Sequence, residues 1–262
     1  MGKILTIGVN TFREAIRNKV LYSLLFFAVL VIVGSLAFGA LSVHEEVRLT
    51  TDLGLAGMSL FSVIIAIFVG VNLVYKELER KPIYTLIPKP IHRYQFVLGK
   101  FIGMVLTLSV QIAIMTIVLL GVIALQGGAL SMALLKMVAL IFVEVMVVTA
   151  VAVLFSSFST PFLSGLFTVG IFLLGRSVPE IRIAARKVQS QTVAWLLHGV
   201  SAVVPNLRYF YTTGAEVSGG HVSVHTSFPD WSYVASASGY GLIYIALVLM
   251  LAMVLFARRD FI

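Results

Sequence analysis

The sequence predicts an all-α integral membrane protein with six transmembrane helices and an N-terminal amphipathic elbow helix. Hydrophobic residues make up 60% of its 262 residues, charged residues make up only 11%, and the mean hydropathy is +1.05. A soluble chain of this size needs far more charge to cover its surface, whereas a bilayer accepts an apolar exterior. Apolar runs of about 20 residues, the length that crosses the hydrocarbon core, recur along the chain.

The spans follow from these runs and from the turns between them. Residues 20–43 and residues 53–75 hold no charged side chain. Gln126-Gly127-Gly128 divides the long run after Lys100, and Pro161 opens the short fifth run after a serine-rich turn. We therefore predict one membrane domain, residues 1–262, with spans at 20–43, 53–75, 101–125, 134–155, 158–177 and 239–257.

The distribution of Lys and Arg predicts that both termini are cytoplasmic. Basic residues are concentrated before the first span, within residues 76–100 and at Arg258-Arg259, whereas the first loop is acidic. Residues 178–238 then form an external loop, although five basic residues lie between Arg176 and Ser238. If the fifth run did not cross, that stretch would be cytoplasmic. The net charge of +8 fits this topology, so we predict no nucleic-acid partner.

Residues 3–19 have the pattern of an amphipathic elbow helix. Leu5, Val9 and Phe12 fall on one face, and Arg13 and Arg17 fall on the opposite face. Basic residues on the wet side indicate a helix lying in the interface of the lipid bilayer. The alternative is a solvated leader before the first span.

Residues 76–100 are predicted to be a cytoplasmic segment with a role of its own. Charges alternate in sign from Lys76 to Lys81, and prolines at 82, 88 and 90 limit the length of any helix. This pattern suits a short helix that docks on another protein. A basic loop on anionic headgroups fits the same residues equally well.

The same segment resembles the cytoplasmic signature of type-2 ATP-binding-cassette (ABC) transporter permeases, in particular the branch typified by multicopper-enzyme maturation permeases. The matching residues are Glu77, Glu79, Arg80, Leu86, Lys89-Pro90-Ile91, Arg93, Phe96 and Leu98-Gly99-Lys100. Residues 10–19, 155–177 and 205–210 resemble the family's elbow helix, its fifth span with the preceding turn, and its external segment. Pro82 and Pro88 depart from the pattern and leave the length of the coupling helix open.

The resemblance implies the permease subunit of an exporter-type ABC transporter in a bacterial or archaeal cytoplasmic membrane. It implies two partners, an ABC ATPase subunit and a second permease copy or paralogue. The residues implied to contact the ATPase are Glu77, Glu79, Arg80, Lys89, Pro90 and Arg93. The chain has no Gly-x-x-x-x-Gly-Lys-[Ser/Thr] loop, so ATP and Mg²⁺ would bind the partner ATPase. We predict no catalytic residue, cofactor or metal site in this chain, which also lacks cysteine.

Three polar residues inside the predicted spans are candidates for a transport pathway. Glu144 is the one acidic residue well inside an apolar run, and a charge there needs a partner or water. Glu144 could line the pathway or hold helices together. Asn72 and Gln111 are possible pathway residues too, although hydrogen bonding between helices is the favoured interpretation of both.

Two other classes of protein share most of these features. A membrane scaffold that recruits proteins without transport would show the same helices and the same cytoplasmic segment. A secondary transporter or channel would need coupling charges or broken helices in repeated halves, and only Glu144 offers such a charge.

Overall fold

A computed structural model describes the backbone of residues 2–40, 46–79, 92–128, 131–188, 190–211, 216–217, 220–221 and 230–258. Side chains are described over the same ranges except at 40, 72–79, 216–217, 220–221 and 257–258. The described α-helices are α1 (Gly2–Ile16), α2 (Lys19–Ala40), α3 (Glu46–Glu79), α4 (Arg93–Leu125), α5 (Met132–Ser156), α6 (Pro161–Arg176), α7 (Val178–Lys187), α8 (Gln191–Val203) and α9 (Trp231–Arg258). A 3-10 helix, Leu207–Tyr209, follows α8. Two short strands, β1 (Glu216–Val217) and β2 (Gly220–His221), pair antiparallel, with Glu216 opposite His221.

Five of the described helices, α2 to α5 and α9, are long and apolar enough to cross a membrane. The pair α6 and α7 passes the same test together, although the two helices are bent by 64°. The predicted all-helical membrane fold is therefore confirmed, with five spans or six. The bend follows from the sequence, because Ser177 ends α6 and Pro179 restarts a helix as the second residue of α7.

Several helices extend beyond the apolar runs that predict them. Helix α3 covers Glu46–Glu79, whereas the predicted span is 53–75, and α9 begins at Trp231 rather than at residue 239. A helix satisfies its own backbone hydrogen bonds, so it can continue past the bilayer with polar side chains. The length of the apolar run therefore predicts only the part of each helix that lies in the membrane, and the whole helix can be longer. The stretch predicted as an external loop contains α7 and α8.

Helices α3 and α5 form the centre of the bundle. Most side chains of α5 between Leu140 and Val153 are buried, and α5 packs on α3, α4, α6 and α9. Gly70 on α3 lies directly against Ala152 on α5, where an added Cβ would come within 2.6 Å of the alanine Cβ. A side chain on an outer helix can face lipid. A polar side chain in the middle of α5 needs a partner inside the protein.

Helix α1 packs closely along the first half of α4. Its face of small residues, Gly8, Thr11 and Ala15, is buried, and Gly8 and Thr11 meet Gly103 of α4. Beside this contact, the Lys100 ammonium lies 3.6 Å from a carboxylate oxygen of Glu14. Leu5 and Val9 remain exposed, at 58% and 43%. The small face of α1 therefore contacts protein and the apolar face is open to lipid.

Candidate functional site

Two charged side chains of opposite sign meet inside the bundle. Glu144, on α5, is completely buried, and the side chain of Arg176, the last residue of α6, is 24% exposed. Arg176 Nε donates to Glu144 Oε1 at 3.0 Å, and Arg176 Nη2 donates to Glu144 Oε2 at 3.0 Å. This two-point geometry matches the planar guanidinium to the planar carboxylate, which is the strongest arrangement such a pair can adopt.

A hydroxyl from a third helix completes the contact. Ser59 of α3 donates to Glu144 Oε2 at 3.1 Å and accepts a hydrogen bond from Arg176 Nη2 at 2.7 Å. The three side chains therefore bind each other in a closed ring. We call Ser59, Glu144 and Arg176 the polar centre.

The lengths of the helices bring these residues to one level. Glu144 lies midway along the 25 residues of α5, so it is about 18 Å from either end of that helix. Helix α6 returns from the end of α5 after a short turn and contains only 16 residues. Helix α6 therefore ends, at Arg176, near the middle of α5 and does not reach the far end of that helix.

Two aromatic rings flank the guanidinium of Arg176. Its Cζ lies 4.4 Å from the ring centroid of Tyr211 and 5.2 Å from that of Phe172. Aromatic faces attract a cation and replace part of the water that the guanidinium gives up. Phe172 is one turn earlier on α6, but Tyr211 comes from the chain after α8.

The segment that carries Tyr211 is held by tyrosines of α9. Tyr244 Oη donates to the carbonyl of Val203 at 3.2 Å, and Tyr240 Oη accepts from the backbone N–H of Asn206 at 3.0 Å. Tyr233 Oη donates to the carbonyl of Tyr209 at 3.0 Å. Residues 233, 240 and 244 share one face of α9 because they are separated by seven and four positions. We call residues 203–211 the return segment.

The polar centre therefore joins α3, α5 and α6, and the return segment is packed against it. A buried ion pair of this kind contributes little net stability, but removing one member leaves an uncompensated charge. In this conformation the Glu144 carboxylate is engaged by two guanidinium nitrogens and one hydroxyl. It connects helices, and its part in a transport pathway stays a prediction.

The other two predicted pathway residues do not join this centre. Gln111 is buried on α4, and neither its amide oxygen nor its amide nitrogen has a hydrogen-bond partner among the described residues. The backbone of Asn72 belongs to α3, but its side chain lies outside the described residues.

The structure describes part of the predicted ATPase-coupling set. The backbone of Glu77 and Glu79 forms the last turn of α3, and their side chains are outside the described residues, as are Arg80, Lys89 and Pro90 altogether. Arg93, the first residue of α4, donates from Nη1 to the carbonyl of Phe256 near the end of α9 at 3.3 Å. Phe96 stacks on the Phe256 ring with centroids 5.7 Å apart. Arg93 therefore has a partner within the chain.

The elbow residues Arg13 and Arg17 are both exposed. Arg13 lies on α1, on the side away from α4, and Arg17 follows the end of α1. Neither reaches the polar centre.

Sequence reasoning missed Arg176 as a site residue. It ends the fifth apolar run, and a basic residue there is ordinarily a loop charge. A signal was present, since Glu144 and Arg176 are opposite charges at or within neighbouring apolar runs. The tyrosines of α9 were missed as well: Tyr233 lies before the predicted span, and Tyr240 and Tyr244 lie inside it, where their hydroxyl partners cannot be read from the sequence.

Fold and site together define a multi-pass helical membrane protein whose ionic contact is enclosed between spans. Residues 5–261 match the family model described as ABC-2 family transporter protein, and the chain therefore belongs to that family. This membership makes it the membrane permease subunit of an ABC transporter, which is generally a subunit without enzymatic activity. No curated protein sequence matches the chain.

Proposed function

We propose that this chain moves its substrate outward across the cytoplasmic membrane when a separate ABC ATPase hydrolyses ATP. The partners would be that ATPase and a second copy of the chain or a paralogue. ATP and Mg²⁺ would bind the ATPase, and this chain would bind no cofactor. Both termini would be cytoplasmic, as the distribution of basic residues indicates.

The observation that best supports the proposal is the continuity of α3. This one helix carries Ser59 of the polar centre and also Glu77 and Glu79 of the predicted coupling segment. About 30 Å of uninterrupted helix separates Ser59 from Glu79. A force applied at the ATPase end would therefore reach the polar centre through the backbone of a single element.

The C-terminal border of the predicted coupling segment, at Arg93, contacts other helices of the bundle. Helix α4 begins at Arg93, which bonds to the end of α9, and α1 packs against the first half of α4. Movement of residues 80–92 would thus act on α3, α4 and α9 together. The narrower assignment, to the branch of multicopper-enzyme maturation permeases, depends on the motif at 77–100 and is part of this proposal.

The test is ATP hydrolysis by the chain assembled with its cognate ATPase. Glu77→Ala combined with Glu79→Ala should reduce ATP hydrolysis or assembly of the complex severalfold, because these carboxylates would lie in the contact. Glu46→Ala is the matched control, since it removes an exposed acid from the opposite end of α3. Full hydrolysis and full assembly in the Glu77/Glu79 variant would contradict the proposed coupling.

A further inference from the structure

The pair of helices between the last two spans starts and ends deep in the bundle. We call α7 and α8 the outer hairpin. Its first end follows Arg176, which is level with the middle of α5. At its other end, the carbonyl of Val203 accepts from Tyr244, the fourteenth of the 28 residues of α9. Both ends therefore lie near the middle of neighbouring spans, and the connection between α7 and α8 forms the tip of the outer hairpin.

The two helices of the outer hairpin differ in chemistry. Helix α7 carries three exposed basic residues, Arg182, Arg186 and Lys187, against one acidic residue, Glu180. Helix α8 contains no Lys, Arg, Asp or Glu. Its exposed apolar side chains are Val193, Trp195, Leu196, Val200 and Val203.

One hydrogen bond joins the two helices. Arg182 Nη2 donates to the carbonyl of Ser201 at 3.4 Å. The helices pack on each other after a short connection, so they run antiparallel, and the end of α7 at Lys187 lies near the start of α8 at Gln191. Trp195, which is 75% exposed, and Leu196 lie in the second turn of α8. Cationic and apolar side chains therefore meet at the tip of the outer hairpin.

From this arrangement we infer that the outer hairpin binds an anionic phospholipid of the surrounding bilayer. Its phosphate lies on Arg186 and Lys187, and an acyl chain lies along Trp195 and Leu196. If water alone surrounded the outer hairpin, the apolar side chains of α8 would be exposed to it. If only lipids without net charge surrounded it, no lipid would supply a counter-ion for the basic side chains of α7. An anionic phospholipid satisfies both surfaces, because polybasic segments attract acidic headgroups and tryptophan favours the interface. The inference does not depend on the transport function.

The chain offers a direct probe of this contact, because it contains only two tryptophans, Trp195 and Trp231. Trp231→Phe keeps an aromatic ring beneath the Lys136 ammonium, which lies 5.0 Å from the ring centroid, and leaves Trp195 as the single fluorophore. The full-length variant is placed in nanodiscs that contain phosphatidylcholine and one fifth phosphatidylglycerol. Bromine, which quenches tryptophan, is carried either by the phosphatidylglycerol or by an equal amount of the phosphatidylcholine. Both membranes have the same headgroups.

The expected result is quenching of Trp195 about twofold stronger when phosphatidylglycerol carries the bromine, because the basic side chains enrich acidic lipid locally. Arg186→Gln with Lys187→Gln should abolish the difference between the two membranes. Lys3→Gln with Lys19→Gln is the matched control, since it removes two exposed basic residues near the start of α1 and α2 and should retain the difference. Gel filtration of each variant confirms folding.

Three results would overturn the inference. Equal quenching by both brominated lipids would show lipid contact without headgroup preference. Quenching by aqueous acrylamide but by neither lipid would place Trp195 in water. Protection from all three quenchers would place Trp195 against protein.

Discussion

Arg176 and Glu144, 32 residues apart in the sequence, are joined by two parallel hydrogen bonds of 3.0 Å in the middle of the helical bundle. The carboxylate is completely buried and the guanidinium is partly exposed. Desolvation therefore weighs more heavily on the Glu144 carboxylate than on the Arg176 guanidinium. Glu144 is therefore the member of the pair that depends most on its partner.

Replacing Arg176 should destabilise the bundle strongly. Arg176→Met leaves the Glu144 carboxylate buried without its counter-ion, which should lower the free energy of unfolding by about 3–5 kcal/mol. Arg176→Met combined with Glu144→Leu removes both charges and should restore most of that loss. Unfolding in mixed detergent micelles compares these two variants with the parent protein. If the double variant is no more stable than Arg176→Met, the two residues are not energetically coupled in the way this geometry requires.

The tyrosines of α9 should control the return segment without controlling the whole bundle. Tyr240→Phe and Tyr244→Phe keep the rings but remove the hydrogen bonds to Asn206 and Val203, each contributing about 0.6 kcal/mol. Hydrogen exchange of backbone amides should accelerate within residues 203–211 and stay unchanged in α5. Tyr22→Phe, at an exposed ring of α2, is the control. Unchanged exchange in residues 203–211 would count against the tyrosine contacts.

The contact between α1 and α4 should tolerate no side chain at Gly103. A Cβ at this position would lie 2.5 Å from the Gly8 carbonyl oxygen, and a backbone atom cannot move aside as a side chain does. We expect Gly103→Ala to displace α1. Gly121→Ala on the same helix is the control, because no atom lies within 4 Å of its added Cβ.

Cysteine labelling measures this displacement, since the natural chain has no cysteine. Thr11→Cys puts a thiol in the buried face of α1. A maleimide should label it slowly in the parent and in Gly121→Ala, and several times faster in Gly103→Ala because the thiol becomes accessible. Equal labelling rates in all three proteins would show that α1 stays in place.

Gln111 should be dispensable for stability. Its buried amide has no hydrogen-bond partner among the described residues, and an unsatisfied amide costs about 1–3 kcal/mol. Gln111→Leu should therefore leave the melting temperature unchanged or raise it. Transport assayed on the same variant tests the pathway prediction separately: normal transport would remove Gln111 from the pathway, and a loss of transport in a more stable protein would support its role there.

The sequence predicts the helices of this fold better than it predicts their contacts. Apolar runs such as residues 20–43 and 53–75 have the length that a bilayer demands, so composition alone identifies them. Glu144 is recognisable as a site residue for the same reason, since a carboxylate in an apolar run must have a partner. The identity of that partner depends on how α6 folds back on α5, and local periodicity contains no information about that.

The glycines of α4 illustrate the same limit. Gly99 and Gly103 indicate a close contact because they are spaced by one helical turn, but the spacing does not say which helix approaches. The structure shows that α1 does, through small residues that separate the basic and apolar faces of its helical pattern. The three tyrosines of α9 are equally unpredictable, because they bind backbone atoms of a segment that has no regular pattern of its own.

The length of α3 has a mechanical consequence. If this helix tilts as a lever about its first residue, Glu46, the displacement grows in proportion to distance along the axis. A rotation of about 5° would move the end at Glu79 by roughly 4 Å and would move Ser59, about 20 Å from the pivot, by nearly 2 Å. A step of that size directed away from Arg176 would lengthen the 2.7 Å bond from Arg176 to Ser59 beyond hydrogen-bond distance. A small swing at one surface would therefore open the closed ring of hydrogen bonds in the interior.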